Sequence, residues 1–119
     1  MKFFIPLLLL LLIIGCDNDE KPSTNACNAT TPVDEIDWLL ALKQSMTNCS
    51  CEISIIEGMY HSQTVFFIAL TDPLCDGINT PTLYNCEGIG IKTFTTSEDD
   101  QTDLADNVTR DSVLYRCKD

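Results

Sequence analysis

Cysteine is the residue type with the most chemical scope here, with seven copies among 119 residues. Two of them stand as Cys49-x-Cys51. On a strand, side chains two apart leave one face, so this pair could exchange thiols or hold a soft metal ion. Thiol oxidoreductases carry the pair as C-x-x-C at a helix start, and that spacing is absent. Four further cysteines are at hand, so two separate structural bridges are the simpler reading of Cys49 and Cys51. His61 is the single histidine and stands beside Ser62. Adjacency in sequence does not make a triad, which forms in space. A cysteine–histidine couple would need a free thiol, and one imidazole with oxidised thiols is a poor zinc set. Glu98, Asp99, Asp100, Asp103 and Asp106 offer hard oxygen ligands for Ca²⁺, but without EF-hand spacing or its central glycine they read as a solvated acidic loop. No phosphate-cradling glycine loop and no internal repeat is present. The sequence therefore points to no catalytic residue, no metal and no cofactor.

Cys16 stands apart from the other six. Lys2 supplies a minimal positive start, and Phe3 to Ile14 is apolar throughout apart from Pro6. Those twelve residues suit the apolar core of a signal peptide and are short of the roughly 20 needed to span a bilayer. Ile13-Ile14-Gly15-Cys16 resembles the bacterial lipobox, the processing site of lipoproteins. The resemblance implies a diacylglyceryl group on Cys16, cleavage before it, and acylation of its new amino group. Each buried acyl methylene contributes about 0.8 kcal/mol, and one chain holds only marginally, so two or three make attachment lasting. Residues 1–15 are then a signal peptide, set aside from the fold.

The residues after Cys16 bear on destination. An Asp directly behind the lipidated cysteine resembles the inner-membrane retention signal of enteric bacteria. The cluster Asp17, Asp19 and Glu20 resembles instead the surface-export signal of Bacteroidetes lipoproteins, and the clustering of several acids favours it. The expected location is the bacterial cell envelope, lipid-anchored at the outer membrane and exposed at the surface. Residues 16–31 read as an acidic and polar tether.

From Cys16 onward the chain has 104 residues, which allows one domain. With Lys2 removed, six basic residues face eighteen acidic ones, a formal charge of −12. Such a surface repels nucleic acid and anionic head groups, and a partner would be cationic, neutral or a metal ion. Cys27, Cys49, Cys51, Cys75, Cys86 and Cys117 form an even set in an exported chain, so three disulfides are expected. Fifteen pairings remain open. Each bridge would contribute roughly 2–4 kcal/mol, which matters in a domain with a modest core.

Residues 32–119 read as one α+β domain. Thr31 caps and Pro32 opens a helix, with Asp34, Glu35 and Asp37 favourable to its dipole. Val33, Ile36, Leu39, Leu40 and Met46 recur at helical spacing, and the helix should stop near Asn48. Trp38 is off that stripe: a flank of the core is favoured over an exposed contact. Cys51 to Tyr60 reads as a strand with an irregularity at Gly58, His61-Ser62 as a tight turn, and Gln63 to Thr71 as its antiparallel partner. The apolar run within the second strand suggests cover on both faces. Asp72 to Pro81 is turn chemistry. Short strands follow over 83–86 and 89–95, with a Glu87-Gly88 turn between them. Ser97 to Asp103 reads as a loop, 103–108 as one helical turn, and Ser112 to Cys117 as a last strand. The expected fold is one N-terminal helix on an antiparallel sheet of about four strands, stapled by disulfides.

Four stretches carry a resemblance: Asp37-Trp38-Leu39-Leu40, Tyr60-x-x-Gln63-Thr64-Val65-Phe66-Phe67, Asp72-Pro73-Leu74-Cys75-Asp76, and Leu83-Tyr84-Asn85-Cys86-Glu87-Gly88. Together they are similar to small cysteine-containing lipoproteins of Bacteroidetes, over Trp38 to Gly88. The resemblance implies an exported, lipidated, small protein and brings no activity with it. Asp111-Ser112-Val113 resembles the O-glycosylation motif of the same bacteria and would place a glycan on Ser112. Asn28-Ala29-Thr30 and Asn107-Val108-Thr109 match the N-glycosylation pattern, which means little in a bacterial lipoprotein. The leading reading is a non-enzymatic binding or interaction module of the envelope. Its membrane contact is the lipid anchor, its partner a protein or glycan touched by Trp38 and Tyr60 if these lie exposed together. Alternatives are a thiol-redox or metal-carrier protein using Cys49 and Cys51, and an accessory subunit of a surface complex.

Overall fold

The centre of the fold is a hairpin of two eight-residue strands, β1 (Ile53–Tyr60) and β2 (Gln63–Leu70). They pair in unbroken antiparallel register from Ile53 opposite Leu70 to Tyr60 opposite Gln63. His61 and Ser62 close the hairpin with φ of 50° and 65°. Positive φ at both central positions is the two-residue turn whose twist matches the strands. The structure, a computed structural model, describes residues 26–75, 77 and 80–118. The apolar run 3–14 read as a signal peptide, Cys16, the acidic cluster after it and Asp76 lie outside the described residues.

Three more strands complete the sheet: β3 (Thr82–Tyr84), β4 (Gly90–Thr93) and β5 (Ser112–Cys117), in the order β4-β3-β2-β1-β5, with all pairings antiparallel. The architecture is α+β, and the sheet has five strands where about four were expected. The last segment of the chain returns to the free edge of β1 rather than standing alone.

The expected single N-terminal helix is corrected: the described residues hold three α-helices and a short 3-10 turn at Ala26–Asn28. α1 (Pro32–Glu35) and α2 (Asp37–Ser45) are separated by Ile36, which is extended at φ −93° and ψ 117°. The break has a packing reason. Val33 and Leu39 are six positions apart and would sit about 120° apart around an unbroken helix. With the turn at Ile36, both enter one cluster with Met46, Ile55, Phe66 and the Cys49–Cys117 pair. Glu35 holds the start of α1, accepting hydrogen bonds from the Thr31 backbone N–H (2.6 Å) and hydroxyl (2.7 Å). Those donors hold the Glu35 carboxyl below its ordinary range. The helix ends at Ser45, three residues short of the expected stop at Asn48.

The third helix, α3 (Glu98–Asn107), occupies the stretch expected to be an acidic loop and a single turn. Ser97 caps it, its hydroxyl accepting the Asp100 N–H at 3.2 Å. Three acids fill the first turn, where the helix dipole favours them. Leu104 and Val108 pack against a second cluster of Ile56, Val65, Phe67, Ala69, Leu83 and Phe94, which lies on the sheet face away from α2. Alternate residues of β1 and β2 thus feed two cores. This is why the Thr64–Leu70 run is apolar nearly throughout.

All six cysteines from Cys27 onward are bridged: Cys27–Cys86, Cys49–Cys117 and Cys51–Cys75, at sequence separations of 59, 68 and 24. The three bridges fix respectively the entry of the chain, the C-terminal strand and the loop after β2.

Candidate functional site

One side of α2 meets the sheet in an aromatic cluster built around Trp38. The indole N–H donates to the Cys86 carbonyl at 2.8 Å. Its ring meets Phe66 edge-on at 5.8 Å and Tyr84 tilted at 5.6 Å. Gly88 lies flat beneath it, where an added Cβ would come within 2.8 Å of the indole, and its φ of +80° also favours glycine. The turn carrying Gly88 is rigidly held. The Asn85 side-chain oxygen accepts the N–H groups of Glu87 (2.9 Å) and Ile89 (3.0 Å), and the Asn85 carbonyl accepts the Gly88 N–H. The Cys27–Cys86 bridge ties this turn to the point where the chain enters the domain. Two stretches that carry the sequence resemblance, Asp37–Leu40 and Leu83–Gly88, therefore form one packed unit.

Beside this unit a groove of about 370 Å³ opens, lined by Trp38, Ala41, Leu42, Ile68 and Tyr84. Ile68 and Tyr84 form the sheet side, and Ala41 and Leu42 the α2 side. The edge strand β4 carries an exposed isoleucine, Ile91 (37 %), and a second, Ile89 (59 %), stands just before it. A second hollow of about 320 Å³ lies along α3, between Gln101, Leu104, Ala105, Val108 and Arg110.

Trp38 is half-buried and belongs to the core on the α2 side, the favoured of its two expected placements. Tyr60 packs on the opposite side of the sheet, edge-on to Phe94 at 5.9 Å, with its hydroxyl donating to Asp103 at 2.7 Å. Trp38, carried by α2, and Tyr60, at the end of β1, thus pack against different clusters on opposite faces of the sheet. The carboxylate of Asp103 raises the Tyr60 phenol above its ordinary value. Asn107 and Tyr60 together hold the Asp103 carboxyl below its own.

Cys49 and Cys51 are bonded to different partners, and Cys49 is buried (8 % exposed), so they do not form a dithiol pair. Among the described residues, ligand atoms of Cys51, Asp72 and Cys75 come within 4.8 Å of one another. Both of those sulfurs are spent in their mutual bond, and Asp72 already accepts the backbone N–H groups of Glu52 and Leu74. These donors hold its carboxyl low.

The five acids weighed as Ca²⁺ ligands and read as a solvated loop sit instead on α3, and two of them are engaged. Asp100 accepts the Thr95 hydroxyl (2.7 Å) and N–H (2.8 Å) and pairs with Lys92 (3.3 Å), while Asp103 is held as above. His61 is exposed in the hairpin turn, its ring 4.1 Å from that of Tyr60. Ser112 is in the edge strand β5, opposite Glu57. The sequence did not single out Glu57, a carboxyl 5 % exposed within β1. Burial pushes its pKa up, with the Asp111 charge adding to the effect. The signal in the sequence was an acid inside an apolar strand.

Comparison with known protein families, with curated proteins and with solved structures returned no match for this chain.

Proposed function

We propose that this chain is a lipid-anchored protein of the bacterial cell envelope, held at the outer membrane and surface-exposed, in the manner of small Bacteroidetes lipoproteins. Its disulfide-stapled domain serves as a non-enzymatic binding module. The observation that carries this reading is cysteine economy. Six of seven cysteines are used in three bridges, and Cys16 is the one outside them. That residue stands directly behind a twelve-residue apolar run and a glycine, where a lipobox cysteine belongs. Bridges on this scale fit an oxidising compartment. The groove beside Trp38 is the surface offered for binding, in line with the rule that sites are concave, largely apolar and few.

The test is Cys16→Ser. The wild-type chain should partition into the detergent phase of a membrane extract, and the variant should leave it. A variant that still partitions with detergent would refute the anchor. Pull-down of a stoichiometric partner after gentle extraction would favour the accessory-subunit reading over a free-standing module.

A further inference from the structure

We propose that the groove between α2 and the β2–β3 part of the sheet receives a basic amphipathic helix of a partner protein, with apolar side chains seated against Trp38, Leu42, Ile68 and Tyr84. This rests on the binding-module reading above and not on the lipid anchor.

Shape gives the first argument. α1 and α2 cover β1, the central part of β2 and the end of β5, since Val33, Leu39 and Met46 pack on Ile55, Phe66 and Cys117. The cover stops at Trp38. Beyond it Ile68 and Tyr84 are only partly covered, and they floor the groove. A sheet face is normally completed by a further helix lying on it. The volume of about 370 Å³ suits the anchor side chains of one helix face, spaced i, i+3 or i+4. The groove wall is also fixed in advance. Trp38 is held by the Cys86 carbonyl, the Gly88 turn and two ring contacts, so little ordering remains to be done on binding.

Charge gives the second argument and selects the occupant. Asp37, exposed, directly precedes Trp38, and Glu87, exposed, directly precedes the Gly88 that underlies the indole. The described cations lie elsewhere. Lys43 pairs with Asp34 and sits over the Tyr115 ring, on the β5 side of α2. Lys92 pairs with Asp100 and lies over Phe94, on the opposite face of the sheet. Arg116 pairs with Glu52, Arg110 borders the hollow along α3, and Lys118 follows β5. An apolar groove whose lining Trp38 directly follows an exposed acid, on a chain of net charge −11, complements a helix with leucine-like residues on one face and lysine or arginine on its flanks. A second copy of this chain would bring the same net negative charge to the groove. Anionic lipid would meet the same repulsion.

Trp38 is the single tryptophan, so its emission reports the groove directly. The experiment titrates the Cys16→Ser chain, from residue 16 onward, with a synthetic helical leucine–lysine peptide of 3.6-residue apolar period. The expected result is a saturable change in emission that weakens as salt is raised. A leucine–glutamate peptide of equal apolar content should bind about tenfold more weakly or not at all. Ala41→Glu, at an exposed position on α2, should weaken the peptide about tenfold. Simple attraction between an acidic protein and a basic peptide predicts tighter binding by that variant, because it adds an acid. Tighter or unchanged binding by Ala41→Glu overturns the groove as the site. Equal binding of the two peptides overturns the basic partner. Emission that changes on dilution of the protein alone assigns the groove to a second copy. A response to phosphatidylcholine vesicles without one to the peptide assigns it to lipid. Each of these last two results overturns the proposal. The anchor experiment can succeed or fail without altering any of these outcomes.

Discussion

Removing the three disulfides one at a time should destabilise the domain in an order set by loop length and burial. A bridge restricts the unfolded chain by closing a loop, and the entropy cost rises with the logarithm of the number of residues enclosed. Sequence separations of 59, 68 and 24 convert, in that treatment, to about 4.3, 4.4 and 3.5 kcal/mol for Cys27–Cys86, Cys49–Cys117 and Cys51–Cys75. Burial separates the first two further. Cys49 and Cys117 are 8 % and 6 % exposed within the α2-side core, so replacing both by alanine also leaves a small cavity, on the order of 1 kcal/mol. The remaining four sulfurs belong to partly exposed residues. The double variant Cys49→Ala with Cys117→Ala should therefore lose the most, Cys27→Ala with Cys86→Ala less, and Cys51→Ala with Cys75→Ala least. A small domain has a total stability of roughly 5–15 kcal/mol, so the first variant should be close to unfolding at rest. Urea titration followed by Trp38 emission measures all three, since Trp38 is packed against Phe66 and Tyr84. If loss of Cys51–Cys75 costs as much as loss of Cys49–Cys117, the loop-length and burial reasoning is refuted.

Other perturbations test other parts of the fold. At Gly58 an added Cβ would fall 1.8 Å from the Thr109 carbonyl oxygen. Gly58→Ala must push away the 109–111 segment, with its hydrogen bonds from Thr109 N–H to Met59 O and from Asp111 N–H to Glu57 O. The expected cost is about 2–4 kcal/mol in urea titration, and a neutral result would mean that this close approach is absent. Glu57 is raised above its ordinary 4.5 by burial and by Asp111. Above pH 4.5 the unfolded chain ionises while the fold resists, so this group costs stability as pH rises through its folded pKa, and nothing well below 4.5. Glu57→Gln should accordingly show a higher urea midpoint than wild type at pH 7 and a similar one at pH 4; equal midpoints at both would show that the carboxyl is solvated. Asp100 and Asp103 shift the other way, both lowered from 3.8 by the hydrogen bonds of Thr95, and of Asn107 and Tyr60. Their contribution is present above that value and is lost as pH falls below it. Amide-exchange protection relative to the intrinsic rate should fall in α3 on acidification before that of β1 and β2, and simultaneous opening would contradict the assignment.

The hairpin was legible because its signals agree: two β-rich runs of similar length, with two turn-tolerant residues between them. β5 was legible to the residue, as its run ends on a cysteine that must reach a partner. The break at Ile36 was not, since the apolar stripe from Val33 to Met46 also fits one continuous helix, and only the sheet beneath decides that Val33 and Leu39 share a cluster. α3 was expected only as a single turn over 103–108, for the opposite reason. Its start is written in Ser97 and the acids behind it, but its apolar face is little more than Leu104, with Val108 just past its end, too sparse to show a period. Cysteine pairing is long-range, and fifteen connectivities fit the same spacings. The groove was half legible. Trp38 and the Glu87-Gly88 turn both drew attention in the sequence, but the contact of Trp38 with Cys86 beside that turn spans 48 positions and depends on where α2 turns.

The most direct measurement is the intact mass of the native protein extracted from membranes, with and without alkylation of free thiols. The account predicts a chain that begins at Cys16, carries two or three acyl chains and takes up no alkylating reagent. A mass without acyl chains, or alkylation at Cys49 and Cys51, would contradict it.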